Sequence, residues 1–237
     1  MQAIVFLYNL FQILTWGALL VSLLYYQVNL TKEEFLCLYH DNKEWKLLLE
    51  VAQGSAIFDM VFALLRWTPN SPGTVIPQIM SRLYVLWMVF PNVPRPTEGA
   101  QSLADYYIIH VAVGAWAQAE VIRFTFYSFK ELQGVIGHLR YNVFLLMYPV
   151  GVGGELFCMW AARCAILSIE AESERPWTML MPNQWNWHFR FEWSVYITYL
   201  MYTVGFPQLY FYMLHQRKRF YSKKPAATTT ATEKKQN

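Results

Sequence analysis

Charged residues are scarce in this chain of 237 residues. They account for 15% of the sequence, below the roughly 25% of an ordinary soluble domain, while hydrophobic residues account for 55%. The three cysteines form neither a disulfide framework nor a metal-binding spacing, the histidines are scattered, and no glycine-rich loop for nucleotide phosphates occurs. These shortages exclude a soluble enzyme and give no reason to expect a bound metal, an organic cofactor or a nucleic acid partner.

The hydrophobic residues are concentrated in long blocks rather than in short amphipathic periods, which favours membrane spans over soluble helices. A span needs roughly 20 residues to cross a bilayer core, and six blocks come close to that length. They cover approximately residues 4–25, 47–65, 74–90, 106–127, 141–165 and 193–214. The second block is weakened by Glu50 and Asp59, and the third is short and contains Pro77 and Arg82. The sequence predicts an all-α polytopic membrane protein with six transmembrane helices.

The C-terminal residues differ in composition from the rest of the chain. Residues 225–232 are rich in alanine and threonine and lie between clusters of lysine and arginine. We therefore expect a membrane domain over residues 1–215 and a basic, disordered tail over residues 216–237. The positive-inside rule places this tail in the cytoplasm, and an even number of spans places the N-terminus there as well. The lysines that follow the first block favour the opposite orientation, but the tail cluster is denser.

Two lysines stand near the end of the tail, where Lys234 and Lys235 precede the last two residues. This arrangement resembles the dilysine signal that retrieves membrane proteins to the endoplasmic reticulum, although paired lysines also occur by chance in basic tails. The first block has neither the basic start nor the small-residue cleavage site of a signal peptide, so we expect it to remain as a helix. We expect an endoplasmic reticulum membrane protein with both termini in the cytoplasm.

The fifth block contains a phenol and an acid, Tyr148 and Glu155, inside an otherwise apolar stretch. A carboxylate in the bilayer core costs several kcal/mol, so such a residue is a candidate for function. Seven residues at about 100° each bring Glu155 to within roughly 20° of Tyr148 on the helix surface, about 10 Å along the axis. Both side chains can therefore face one cavity. Pro149 leaves the carbonyl of Leu145 without its helical partner and favours a kink, although helix packing explains this proline equally well.

Charged residues in the other blocks are expected to pair. Counting outward from the turns between blocks, at about 1.5 Å per residue, places Asp59 and Arg82 at comparable depth and Glu120 level with Tyr148. Arg123 follows Glu120 by three residues, a spacing that brings side chains together on a helix. The sequence predicts ion pairs between Asp59 and Arg82 and between Glu120 and Arg123, which let helices pack in a membrane. Direct contact of these groups with a substrate is the alternative.

Residues 139–155, LRYNVFLLMYPVGVGGE, resemble the signature of the membrane-bound very-long-chain 3-hydroxyacyl-CoA dehydratases, also called protein tyrosine phosphatase-like proteins. Weaker matches occur in the family's order at Tyr8-Asn9 with Gln12 and Trp16, Leu49-Glu50, Pro77-Gln78 with Ser81-Arg82 and Trp87, Glu120 with Arg123, and Phe129-Lys130-Glu131. The chain departs from the family at Gln53, where a histidine is expected, and at His138, where a tryptophan is common. These departures bear on substrate preference or activity level rather than on reaction type.

The resemblance implies the third step of fatty acid elongation, in which 3-hydroxyacyl-CoA loses water to give trans-2-enoyl-CoA, with Tyr148 and Glu155 as the catalytic pair. This chemistry removes a proton from C2 and expels the hydroxyl from C3, so it needs a base and a proton donor. A phenol, with an unperturbed pKa near 10, suits the donor and a carboxylate suits the base. The reverse assignment stays open, because a carboxyl group in an apolar cavity can keep its proton.

The substrate implied by the resemblance has an acyl chain for an apolar tunnel and a CoA head with phosphates. Arg123 and Arg140 are candidates for the phosphates, and Glu120 is a further candidate for substrate contact. Membrane lipid and other enzymes of the elongation cycle, the condensing enzyme and the reductases, are the implied partners. Two alternatives are a non-catalytic scaffold of the elongation complex and a small transporter. Retention of Tyr148 and Glu155 argues against the first, and the lack of an inverted repeat argues against the second.

Overall fold

The computed structural model describes residues 2–95 and 103–222, with the side chains of residues 103–107 left aside. The described part is all-α, as predicted, apart from connections and one isolated antiparallel bridge between Met179 and Phe189. Its helices are α1 (Gln2–Asn29), α2 (Lys32–Leu36), α3 (Leu38–Asp41), α4 (Lys43–Gly54), α5 (Ile57–Leu64), α6 (Pro72–Tyr84), α7 (Leu103–Ser128), α8 (Gln133–Leu167) and α9 (Phe191–Ser222). A π-helical turn, Val85–Val89, and a 3-10 turn, Phe90–Asn92, extend α6.

Within the described residues, four segments are long and apolar enough to cross a membrane. They are Gln2–Asn29, Lys43–Leu64, Pro72–Asn92 and Lys130–Leu167. The predicted count of six is therefore not confirmed. Helices α7 and α9 have 26 and 32 residues, but Glu120 and Arg123 in α7 and the many tyrosines in α9 lower their mean hydropathy. The second and third blocks, which are the weakest in the sequence, are thus among the four. The fourth and sixth blocks, which correspond to α7 and α9, are not.

Helix α7 packs against both α1 and α8, and α9 packs against α8. Helices α7 and α8 come close at two glycines. A Cβ added to Gly154 would lie 3.1 Å from the backbone nitrogen of Ala112, and one added to Gly151 would lie 3.2 Å from the Cβ of Ala115. Larger side chains at these positions would push the helices apart, so the glycines bring α7 and α8 close enough to share one site.

Helix α8 runs without interruption through Pro149 over 35 residues. The hydroxyl of Tyr210, on α9, donates to the carbonyl of Leu145 at 3.5 Å, so the group left without its helical partner by the proline meets a neighbouring helix. Helix α9 is also longer than predicted. It continues to Ser222, so residues 216–222 are helical, although their composition predicts them as part of the tail. The remainder of that tail, including Lys234 and Lys235, lies outside the described residues.

Candidate active site

A cavity of about 550 Å³ lies between α6, α7, α8 and α9. One end is lined by polar residues near the start of α6 and the end of α9, such as Ser71 and Gln216, together with Arg140 of α8. The other end reaches Glu155. The 15 residues of α8 between Arg140 and Glu155 correspond to about 22 Å of helix. The cavity is therefore an elongated channel that joins a polar mouth to a buried carboxyl group. All five site residues selected from the sequence line it, namely Glu120, Arg123, Arg140, Tyr148 and Glu155.

Glu155 is held at the deep end of the cavity by donors from two neighbouring helices. Its side chain is buried, with 5% of the residue exposed. The indole Nε1 of Trp116, on α7, donates to Oε1 at 2.6 Å, and the hydroxyl of Tyr202, on α9, donates to Oε2. The indole N–H can only donate, so Oε1 acts as an acceptor. The two accepted hydrogen bonds favour the charged form of this carboxylate, whereas its burial favours the neutral form.

Tyr148 lines the same cavity as Glu155, as their spacing on one helix predicts. Its ring stacks on two aromatic rings of α9, at 5.5 Å from Phe206 and 6.4 Å from Tyr210 between ring centroids. Among the described residues, the Tyr148 hydroxyl finds no hydrogen-bond partner. The ring is thus fixed by stacking while its hydroxyl remains available to a molecule in the cavity.

Four charged side chains from three helices form a connected network, here called the ionic quartet: Asp59, Arg82, Glu120 and Arg123. Arg123 donates to Asp59 at 2.8 Å and to Glu120 at 2.7 Å, and Arg82 donates to the other oxygen of Glu120. The predicted pair between Glu120 and Arg123 is confirmed. The predicted pair between Asp59 and Arg82 is wrong. Both residues pair with α7 instead, Asp59 with Arg123 and Arg82 with Glu120. The quartet has no net charge, which lowers the cost of burying it.

The ionic quartet is connected to the deep end of the cavity through Trp116. The guanidinium of Arg82 lies over the Trp116 ring, 5.5 Å from its centroid, and Phe90 stacks on that ring at 5.6 Å. Trp116 is only 1% exposed. The indole that holds Glu155 is thus fixed by contacts on its own ring.

Arg140 lies at the polar mouth. Its guanidinium packs against the rings of Phe126, Tyr127 and Tyr141, at 4.8, 4.9 and 5.7 Å from their centroids. Nη2 donates to the Tyr127 hydroxyl at 3.1 Å, whereas Nη1 is buried without a partner in the described part of the chain. The aromatic rings hold this cation in place and leave one end of it unpaired, which suits the binding of an anion. By contrast, two nitrogens of Arg123 are occupied by carboxylates.

Trp116 and Tyr202 belong to the site but were not predicted from the sequence. The spacing of Trp116, Glu120 and Arg123, four and then three residues apart, places them on one face of a helix and could have linked the tryptophan to the site. No comparable signal exists for Tyr202, which lies 47 residues from Glu155. The two family departures, Gln53 and His138, do not line the cavity.

Comparison with known proteins agrees with the resemblance in the α8 sequence. Residues 53–223 match the family model described as protein tyrosine phosphatase-like protein, PTPLA. This chain belongs to the PTPLA family. Among its PTPLA relatives is the very-long-chain (3R)-3-hydroxyacyl-CoA dehydratase hpo-8 of Caenorhabditis elegans, 34% identical over 90% of this chain and 91% of that protein. PASTICCINO 2 of Arabidopsis thaliana, also named a very-long-chain (3R)-3-hydroxyacyl-CoA dehydratase, is 32% identical over 74% of this chain and 76% of its own length. The human very-long-chain (3R)-3-hydroxyacyl-CoA dehydratase 2 is 28% identical, with coverages of 91% and 80%. No solved structure matches significantly.

The phosphatase in the PTPLA family name does not describe the chemistry available in this chain. A phosphatase loop has five residues between its reactive cysteine and its arginine, at a strand-to-helix turn, whereas Cys158 and Arg163 have four residues between them and lie within α8. Cys158 is fully buried, and Arg163 donates to the Tyr196 hydroxyl at 2.6 Å. The cysteine therefore has no phosphate cradle.

Proposed function

We propose that this chain dehydrates very-long-chain 3-hydroxyacyl-CoA to trans-2-enoyl-CoA in fatty acid elongation, with Tyr148 and Glu155 as the catalytic pair. The names of its PTPLA relatives support the reaction. The observation that carries the residue assignment is that a buried carboxyl group and an unpaired phenol line one elongated cavity. Dehydration needs a base at one carbon of the substrate and a proton donor at the hydroxyl of the adjacent carbon.

Glu155 is the base in this mechanism. It takes the proton from C2, which the neighbouring thioester carbonyl makes acidic, and the electron pair left on C2 forms the double bond to C3. The hydrogen bonds from Trp116 and Tyr202 favour the charged carboxylate that this step requires. Tyr148 is the acid, because it lines the cavity and its hydroxyl has no hydrogen-bond partner among the described residues. It donates its proton to the hydroxyl of C3, which leaves as water.

Arg140 is the group we assign to the CoA phosphates. It lies at the polar mouth with one buried nitrogen unpaired, and a phosphate oxygen would satisfy that nitrogen. The flexible arm of CoA would follow the cavity along α8 and bring the thioester to Tyr148 and Glu155. Glu120 and Arg123 also line the cavity, but their charges neutralise one another, so we assign them to holding α5, α6 and α7 together.

The polar mouth lies on the side of the C-terminal tail. Arg217, near the end of α9, donates to the carbonyl of Tyr141 at 3.0 Å and to the Asn142 side chain at 3.1 Å, which fixes the end of α9 beside Arg140. We propose six spans, including α7 and α9, in the endoplasmic reticulum membrane with both termini in the cytoplasm. CoA would then enter from the cytoplasm. Condensing enzyme and reductases of the elongation cycle are the proposed partners.

Purified protein in lipid nanodiscs tests the function directly. It should convert a 3-hydroxyacyl-CoA of defined chain length to the trans-2-enoyl-CoA, with a mass loss of one water detected by mass spectrometry. A transporter or a non-catalytic scaffold would bind or move the substrate without this mass change. Absence of water loss across a series of chain lengths, with folded protein, would refute the proposal.

A further inference from the structure

Tyr148 and Tyr202 both bring a phenol to the catalytic centre, but of these two only Tyr148 lines the cavity. Tyr148 lines the cavity, whereas Tyr202 is absent from its lining and donates to Glu155 from α9. A phenol that does not face the cavity has no access to the leaving hydroxyl of a substrate. Its contact with the carboxylate must therefore serve another purpose than proton donation to substrate.

The geometry assigns Tyr202 and Trp116 as positioning residues that together fix the Glu155 carboxylate as a base. The inference rests on the proposed function, because it concerns the residue that removes the proton in that reaction. The two donors come from different helices, α7 and α9, and each takes a different oxygen of the same carboxylate. Two donors on two oxygens fix both the position and the plane of the carboxylate. Glutamate has three rotatable bonds, so an unrestrained side chain in a cavity would occupy several rotamers.

Both donors are themselves restrained, which a positioning role requires. Trp116 is fixed by Phe90 and Arg82 on its ring. Tyr202 packs against the hydrophobic core that contains Phe191 and Val195 of its own helix. The carboxylate thus receives its orientation from the packing of three helices rather than from α8 alone.

Tyr202→Phe tests this role, because it removes only the hydroxyl. A hydrogen bond to a charged group in a buried site contributes enough that its loss should lower kcat on the order of 10- to 100-fold. KM should change by less than about threefold, since Tyr202 does not line the cavity and the lost interaction acts on the chemical step. Trp116→Phe removes the other donor and should also lower kcat.

Tyr199→Phe is the matched control. Tyr199 lies almost one turn before Tyr202 on α9, and its hydroxyl donates to the backbone carbonyl of Leu156 at 3.0 Å. It therefore contributes a hydrogen bond between the same two helices without touching Glu155. We expect this variant to keep kcat within about twofold of the wild type, since groups away from the reacting atoms contribute little to the chemical step. An equal loss in both tyrosine variants would mean that Tyr202 only holds helices together, and would overturn the inference.

The background variant Glu155→Gln separates failure of this inference from failure of the proposed function. If Tyr202 acts through Glu155, adding Tyr202→Phe to Glu155→Gln should cause no further loss, because groups that act as a unit are not additive. A further full loss in the double variant would overturn the positioning role. If Glu155→Gln alone kept wild-type activity, the proposed function of Glu155 would fail first. If Tyr202→Phe does not fold, the same cycle with Trp116→Phe decides the question.

Discussion

Replacing the two catalytic candidates is the most direct test of the site. Tyr148→Phe removes the hydroxyl and preserves the ring that stacks on Phe206 and Tyr210, so the helix contact is kept. Glu155→Gln keeps the shape of the side chain, although its amide nitrogen cannot accept the hydrogen bond that one carboxylate oxygen accepts. Both variants should insert in the membrane and fold. Any change in turnover then reports on proton transfer.

The size of the expected loss follows from the role of each group. General acids and bases typically contribute 10²- to 10⁴-fold, so each single variant should lose turnover by a factor of that order. Because the acid and the base act in one reaction, the double variant should be little worse than the poorer single variant. The assay is initial-rate conversion of 3-hydroxyacyl-CoA by purified protein in nanodiscs, with product measured by mass spectrometry at equal protein concentration.

Tyr210→Phe is the matched control for the phenol. Tyr210 stacks on Tyr148 and does not line the cavity, and within the described part of the chain its hydroxyl bonds only to the carbonyl of Leu145, at 3.5 Å. Its loss should leave turnover within about twofold, because no group at the reacting carbons is altered. If Tyr148→Phe kept more than roughly a third of the wild-type turnover, far above the expected loss, Tyr148 would not be the acid. If Glu155→Gln also kept more than roughly a third of the turnover, Glu155 would not be the base. Glu120, which also lines the cavity, would then be the next residue to replace.

Three further predictions concern the cavity mouth, the ionic quartet and the tail. Arg140→Gln should raise KM for the CoA substrate by about tenfold or more, because a charge-assisted contact to phosphate is lost, and should change kcat little. Asp59→Asn should lower the free energy of unfolding by about 3 kcal/mol, the low end for a broken buried pair, because Arg123 keeps Glu120 as a partner. Replacing Lys234 and Lys235 with serine should let the protein leave the endoplasmic reticulum, seen by microscopy, with unchanged specific activity.

Each of these three has its own control and its own contradicting result. Arg163→Gln, at the other end of α8, should leave KM unchanged, and an equal rise in both arginine variants would remove Arg140 from phosphate binding. Adding Arg123→Gln to Asp59→Asn should recover more stability than adding Arg82→Gln, because Asp59 contacts Arg123. The opposite order would contradict the ionic quartet. Retention of the serine variant in the endoplasmic reticulum would assign retention to the membrane domain or its partners.

The sequence by itself determined the features that depend on one helix. Tyr148 and Glu155 are seven residues apart on α8, and helical periodicity alone directs them to one side. The pair between Glu120 and Arg123 follows in the same way from a three-residue spacing. The hydrophobic blocks predicted the long helices, although they did not predict the break between α4 and α5 at residues 55 and 56. The run over residues 139–155 carried enough pattern to identify the family.

Only the tertiary structure decided which groups from different helices meet. Depth counted from the turns placed Asp59 opposite Arg82, but that count treats each hairpin as isolated, and α7 supplies closer partners to both. The donors to Glu155 come from positions 39 and 47 residues away. Their meeting depends on the close approach of α7 and α8 at Gly151 and Gly154 and on the packing of α9. Helical periodicity fixes the direction of a side chain on its own helix, whereas its neighbours depend on how the helices rotate and slide against one another.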